Sequence, residues 1–242
     1  MKFPALAAAV CLSAICAAAC AGPAAANGDK QTMSDAKSAF AQALGASFQS
    51  ISEFVAVPIA AAPADALWLG SSMVGGEPQS WALAACKGRP CPGAKPVSLP
   101  TASSLAVLAL LDLQGAPFKI DLRQPPGNPT RAQPMPQKAK KPAALVRARH
   151  KLDSGEERDT LVIVPADKSG EILWQQTASS SLPNGGGFQS LELSFAKPAK
   201  GPWLDVGLLQ HTVPAKGEQP FAPGPPLKLE FAYRQGAYQR VK

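Results

Sequence analysis

The chain is poor in charged residues and histidine, and it lacks long stretches of helical periodicity. Asp, Glu, Lys and Arg make up 17% of the 242 residues, whereas 25 residues are proline. The only histidines are His150 and His211, so a Cys/His metal site would depend on both. Without alternating strands and long helices, a doubly wound α/β enzyme core is not expected. We predict neither a metal site nor a cofactor.

Short apolar runs separated by turn-forming residues fill the second half of the chain. Between Ala143 and Val213 these runs are rich in Val, Ile, Leu and aromatic residues. Sequences such as Asp153-Ser-Gly and Asn184-Gly-Gly-Gly bound them. This pattern predicts a mainly β fold, an antiparallel meander that is sandwich-like or resembles a partial barrel or a propeller.

The first 26 residues have the pattern of a secretory signal. Met1-Lys2 precedes an apolar run from Phe3 to Ala21, and Ala24-Ala-Ala26 suits a signal peptidase. Alternatively, Ala17-Ala-Ala-Cys20 resembles a bacterial lipobox, with Ala17 where Leu is usual, and Cys20 would then be lipidated. An uncleaved anchor is the third alternative, although the run falls short of the roughly 20 residues of a membrane span. We expect a periplasmic or extracellular chain, lipid-anchored if Cys20 is modified, with no transmembrane span after signal removal.

Cysteine usage fits export. Three of the five cysteines lie in the leader, which leaves Cys86 and Cys91. Four residues separate this pair, whereas a redox-active pair favours two intervening residues. We therefore predict a structural disulfide that closes a small loop in an oxidising compartment.

One amphipathic helix is predicted near residues 34–54, with Ser34 as its cap and Pro58 beyond its end. Its task would be to cover a face or an edge of the following sheet. The apolar residues that recur at helical spacing are Phe40, Leu44, Phe48, Ile51 and Val55.

These patterns divide the chain into a signal peptide (1–26), an N-terminal helical segment (27–57) and a β-rich domain (58–242). Residues 124–142 contain six prolines and, apart from Thr130, no aromatic or β-branched residue. Such a segment cannot bury enough apolar area to offset its ordering entropy, and we predict that it is disordered or extended. The sequence leaves open whether it separates two β domains or loops within one.

The region from Arg123 to Lys151 contains no Asp or Glu. Nucleic acid is not the expected partner, because the leader directs the chain out of the cytoplasm and no aromatic residue is available to stack on a base. A basic, solvated loop without a partner is the favoured interpretation of this region, and an anionic envelope surface or another envelope protein is the candidate partner. The candidate polyanion-binding residues are Arg131, Lys138, Lys140, Lys141, Arg147, Arg149 and Lys151.

Two short motifs, Ser34-x-x-Lys37 and Lys168-Ser-Gly170, resemble elements of the serine β-lactamases and penicillin-binding proteins. In that family a serine attacks an acyl group and a lysine takes its proton. The helical subdomain that the family builds between these elements is not predicted here. A helix cap and a hairpin turn explain the same residues, and we assign no catalytic residue.

Taken together, these patterns predict an exported bacterial cell-envelope protein with a non-enzymatic binding or structural β domain. Two alternatives stay open. One is an envelope hydrolase that uses serine-type acyl transfer, and the other is an accessory subunit of an envelope complex.

Overall fold

The fold is mainly β. The computed structural model describes residues 24–61, 64–123, 139–167, 169–215, 217 and 225–242. Strands make up 58% of the structure, and within the described residues they form two antiparallel sheets preceded by one α-helix. The predicted mainly β, antiparallel class is confirmed.

The first sheet has the strand order β1-β2-β3-β4, and β5 also pairs with β3. Its β2–β3 hairpin turns over Gly75 and Gly76, whose φ angles of 63° and 88° are both positive. A two-residue turn of this kind matches the twist of the strands, and glycine adopts it without steric cost. The strands are β1 (Ile51–Ala61), β2 (Ala64–Val74), β3 (Glu77–Cys86), β4 (Arg89–Pro90) and β5 (Val97–Leu99).

The second sheet has nine strands in the order β14-β13-β12-β11-β10-β9-β8-β6, and β7 pairs with β11. The start of β11 pairs with β10, whereas its second half pairs with β7. The strands are β6 (Ser104–Asp112), β7 (Phe118–Asp121), β8 (Pro142–Lys151), β9 (Glu157–Pro165), β10 (Trp174–Ser181), β11 (Gly187–Ala196), β12 (Asp205–Val213), β13 (Leu227–Arg234) and β14 (Ala237–Arg240).

Side chains from eight strands of the second sheet meet in one cluster, which we call the inner core. Strands from both ends of the sheet order contribute to it, so the sheet must curve round these side chains. Phe118 of β7 stacks on Phe195 at a centroid distance of 4.4 Å. The fully buried members are Leu111, Leu113, Ala143, Leu145, Leu161, Ile163, Leu193, Phe195, Val206 and Leu208.

A second cluster, the intersheet core, lies between the two sheets. Leu67 and Leu69 enter it from β2, and Val162 and Val164 enter it from β9. Strand β8 serves both cores because successive side chains of a strand point to opposite faces. The two sheets therefore share one buried layer.

Helix α1 (Ala24–Ala43) packs on the outer face of the first sheet. Its Phe40 is fully buried, and the ring centroids of Phe54 and Trp68 lie 5.4 and 6.5 Å away. The helix predicted near residues 34–54 extends past the end of α1 at Ala43, and the segment boundaries predicted at 26 and 57 stay predictions. Gly45, with a φ of 66°, follows the end of the helix in the left-handed conformation that caps helices, and β1 begins at Ile51.

The predicted insert at 124–142 lies mostly outside the described residues, which resume at position 139. The backbone N–H groups of Lys140 and Lys141 donate to the carboxylate of Asp112 at 3.2 and 3.1 Å. Pro142 then opens β8 opposite Asp112. The last residues of the predicted insert thus form hydrogen bonds to Asp112 and lead directly into β8.

The Cys86–Cys91 disulfide is present, as predicted. It joins the end of β3 to the residue after β4, with the two Cα atoms 4.8 Å apart. Cys91 is buried beside Ala64 and Ala84. The bond therefore fixes the end of the β3–β4 hairpin beside Ala64, at the start of β2.

Replacing Cys86 and Cys91 together by alanine should lower the free energy of unfolding by about 2 kcal/mol. The sequence separation of the two cysteines is 5, and closing so short a loop removes little entropy from the unfolded chain. Urea unfolding measures the change, and the reduced wild type should match the double variant. An unchanged midpoint in the variant would contradict this structural role.

The contribution of Glu53 of β1 to the stability of the fold should depend on pH. Its Oε2 accepts a hydrogen bond from the N–H of Leu105 in β6 at 3.0 Å, and partial burial raises the pKa of its carboxyl above 4.5. The stabilising contribution is therefore complete below about pH 4.5 and is lost as the pH rises through the folded-state pKa. Glu53→Gln, which keeps an acceptor oxygen, should raise the melting temperature at pH 7 but not at pH 4. The exposed Glu77→Gln serves as control, and a pH-independent difference for Glu53→Gln would contradict the prediction.

Candidate functional site

A cleft of about 800 Å³ lies where β8 ends and β9 begins, bordered by β6, β7, β10 and β11. Small-molecule sites in proteins measure roughly 300–1,000 Å³. The cleft walls combine apolar side chains with three arginines and two aspartates. Within the part of the chain that the structure describes, this cleft brings together charged side chains from β7, β8 and β9.

The alternation of β8 aims two of these arginines into the cleft. Ala143, Leu145, Arg147 and Arg149 occupy alternate positions and share one face of the strand. The first two lie in the inner core, so the same face carries Arg147 and Arg149 where the core gives way to solvent. The cleft is thus the open end of the space that the second sheet encloses.

Two of the three arginines are neutralised by aspartates. Nε and Nη2 of Arg149 donate to Oδ1 and Oδ2 of Asp159, opposite it on β9, at 2.7 and 2.8 Å. Arg123 makes the same paired contact with Asp121, at 3.0 and 2.8 Å. Hydrogen bonds from Arg123 lower the pKa of Asp121 to about 2, and the bond to Asp159 raises the pKa of Arg149. Both pairs therefore stay ionised and are neutral as units.

Arg147 is the unpaired cation of the cleft. It is half-buried, and no described residue accepts a hydrogen bond from it or forms an ion pair with it. Burial lowers the pKa of its guanidinium, the charge of Arg149 adds to that effect, and the charge of Asp159 opposes it. An arginine still remains protonated in a protein. The described residues of the cleft consequently form two neutral pairs and leave one positive charge, that of Arg147, without an ion-pair partner.

The structure divides the predicted basic run between the two ends of β8. Lys141 donates to Oδ2 of Asp167 at 2.7 Å, and its Nζ lies 5.0 Å from the ring centroid of Trp203. Arg147 lies six residues further along the strand, roughly 20 Å at the rise of an extended chain. Lys140 and Lys151 are exposed outside the cleft. Arg131 and Lys138 lie outside the described residues, and their predicted role stays a prediction.

Sequence patterns alone did not indicate the paired arrangement of the cleft. Asp121 and Arg123 were not candidates, since the arginine precedes the proline-rich segment and its partner ends a short strand. Asp159 lies in an acidic stretch at the start of β9, and that stretch alone predicts no partner for Arg149. The available signal was the change from apolar to basic residues at alternate positions between Ala143 and Arg149.

The residues with a catalytic pattern lie in separate elements. Ser34 is exposed on α1, and Ser169 is exposed in the turn after β9, while Lys168 lies outside the described residues. His150 has a buried Nδ1 for which the described residues supply no hydrogen-bond partner, and His211 lies opposite Gln189 on β11. No group of three or more His, Cys, Asp or Glu side chains among the described residues could hold a metal ion.

Residues 1–23, including Cys20, are outside the described ranges, so the signal peptide, the possible lipidation site and export stay predictions. In the part of the chain that is described, no helix has both the length and the apolar character needed to cross a membrane. Comparison of the chain with protein families, with curated proteins and with solved structures finds no match.

Proposed function

We propose that the chain is an exported, non-enzymatic binding domain of the bacterial cell envelope, and that it binds an anionic group beside Arg147. The apolar leader followed by small residues supports export. The Cys86–Cys91 disulfide supports it too, because such bonds persist in oxidising compartments. The composition of the cleft supports the choice of an anion.

The unpaired guanidinium of Arg147 carries the proposal. Every other arginine that the structure describes is exposed, whereas a half-buried charge without a counter-charge has an unfavourable desolvation energy. A bound anion would supply the missing partner through charge-assisted hydrogen bonds to the planar guanidinium. The adjoining segment 124–138 contains no Asp or Glu, so it offers no carboxylate for this purpose.

Export is tested by expressing the chain with its leader in a bacterial host. Mass spectrometry of the periplasmic and membrane fractions should find a chain that starts after Ala26, or one that starts at a lipidated Cys20. Recovery from the cytosol with Met1 retained would contradict the proposed location.

Anion binding is tested by following the Nε–H NMR signal of Arg147 during titration with acetate and with inorganic phosphate. Saturable shifts are expected in the wild type and in Arg234→Gln, which removes an exposed charge at the end of β13. Arg147→Gln lacks this signal, so its titrations are followed by calorimetry, where neither anion should give a saturable heat of binding. An Arg147 signal that moves with neither titrant would refute the proposed site.

A further inference from the structure

The cleft offers an apolar surface beside its free charge. Leu108, Ile120 and Leu122 line it and are only half-buried, although they pack against the inner core. Leu161 and Ala178 are buried beneath them and also line the cleft. An occupant that reached Arg147 would therefore contact aliphatic side chains that water now touches.

The charges of the cleft favour an occupant with one anionic group. A polyanion gains affinity by pairing many phosphates or sulfates with many cations. Among the described cations of the cleft only Arg147 is free, since Arg149 and Arg123 would have to break two-bond contacts with Asp159 and Asp121. Lys141 lies at the other end of β8, where it forms an ion pair with Asp167.

From this combination we infer that the cleft binds one amphipathic monocarboxylate, with its carboxylate on Arg147 and its aliphatic body on Leu108, Ile120 and Leu122. The inference rests on the proposed function. A guanidinium presents two parallel N–H groups that match the two oxygens of a carboxylate. Ser179 and Gln189 add neutral hydrogen-bonding groups to the wall. The length of the ligand's aliphatic chain then sets its affinity for the cleft, because the apolar surface continues toward the inner core.

A series of straight-chain carboxylates from acetate to hexanoate tests the inference by calorimetry and by the Arg147 Nε–H signal. Each methylene group that leaves water should tighten binding about three- to four-fold. Hexanoate should therefore bind roughly 100-fold more tightly than acetate. Hexanamide, which has the same length and no charge, should bind much more weakly than hexanoate.

Two variants separate the charge from the apolar surface. The Arg147→Gln variant should lose its affinity for acetate and for hexanoate alike. The Leu122→Asn variant should keep the wild-type affinity for acetate and bind hexanoate several-fold more weakly. Leu182 is an exposed leucine outside the cleft, and Leu182→Asn should change neither affinity. If Leu122→Asn loses the dispersed NMR spectrum of the folded protein, Ile120→Val gives the same comparison with a smaller expected effect.

The outcomes distinguish the inference from the proposed function. Acetate binding that depends on Arg147, with no gain along the series, overturns the amphipathic ligand and leaves anion binding standing. Hexanoate affinity that survives Arg147→Gln, or equals that of hexanamide, also overturns the inference. Absence of any Arg147-dependent anion binding overturns both.

Discussion

Replacing Phe195 with alanine is expected to lower the free energy of unfolding by about 3–5 kcal/mol. Phe195 is 1% exposed, and its ring stacks on Phe118 with planes 11° apart. Truncation removes this stacking and leaves a cavity in the inner core that the paired strands around it cannot close. Urea unfolding followed by tryptophan fluorescence measures the loss.

Phe188 supplies the matched control for this substitution. It lies on the same strand, β11, is half-buried, and belongs to none of the buried clusters. Phe188→Ala should therefore lose about 1 kcal/mol. Equal losses at the two positions would show that the stacked pair does not organise the inner core.

The Phe195→Ala substitution should also loosen the wall of the cleft that β7 forms. Phe118 belongs to β7, which also carries Ile120 and whose register on β11 places Phe118 opposite Phe195. Hydrogen exchange of the β7 amides should quicken in Phe195→Ala more than exchange in β13. The apolar part of the cleft thus depends on packing behind it.

Turns were the part of the fold that local sequence determined best. Gln235 and Gly236 form the two-residue turn that joins β13 to β14, and their φ angles of 51° and 96° are both positive. The Gly-rich β2–β3 turn behaves in the same way. Backbone conformations with positive φ depend on the residue itself, so they are visible in the sequence.

The end of the helix was missed because two periodicities coincide there. Ile51 and Val55 continue the helical spacing of Phe40 and Leu44, yet β-branched residues also suit a strand. Pairing with β2, from Ile51 opposite Ser72 to Ala61 opposite Ala64, decides the conformation. That pairing joins residues as distant in the chain as Ile51 and Ser72, far beyond the three- and four-residue spacing on which the helical pattern depends.

The cleft could not be located from sequence because it depends on which face of β8 turns inward. A change of one residue in strand register exchanges the two faces. The run Arg147-Ala-Arg149 fits equally well a solvated edge and the end of an enclosed core. Asp159 comes to Arg149 only through the β8–β9 register, and Asp121 reaches the cleft through the pairing of β7 with β11.

Phe40→Ala is the second substitution for which we expect a loss of about 3–5 kcal/mol in the free energy of unfolding. Phe40 attaches α1 to the first sheet through Phe54 and Trp68, and it is completely buried. Its loss should also reduce the helical circular dichroism signal before the sheets unfold, because only Ala36 and Ala41 are also buried among the α1 residues 32–43, whose burial the structure describes. Leu44→Ala, at a half-buried residue just after the helix, should lose much less.

Gly70 provides a stricter test of the same contact. A Cβ atom at Gly70 would lie 2.5 Å from Cε1 of Phe40 and 3.0 Å from the carbonyl oxygen of Glu53. Gly70→Ala should therefore lower the free energy of unfolding by about 1–3 kcal/mol, because it overpacks this contact. In the Phe40→Ala background most of that penalty should disappear, since the ring is gone and only the Glu53 carbonyl remains close. A double-mutant cycle measures the coupling, and strictly additive losses would mean that Phe40 does not occupy the space above Gly70.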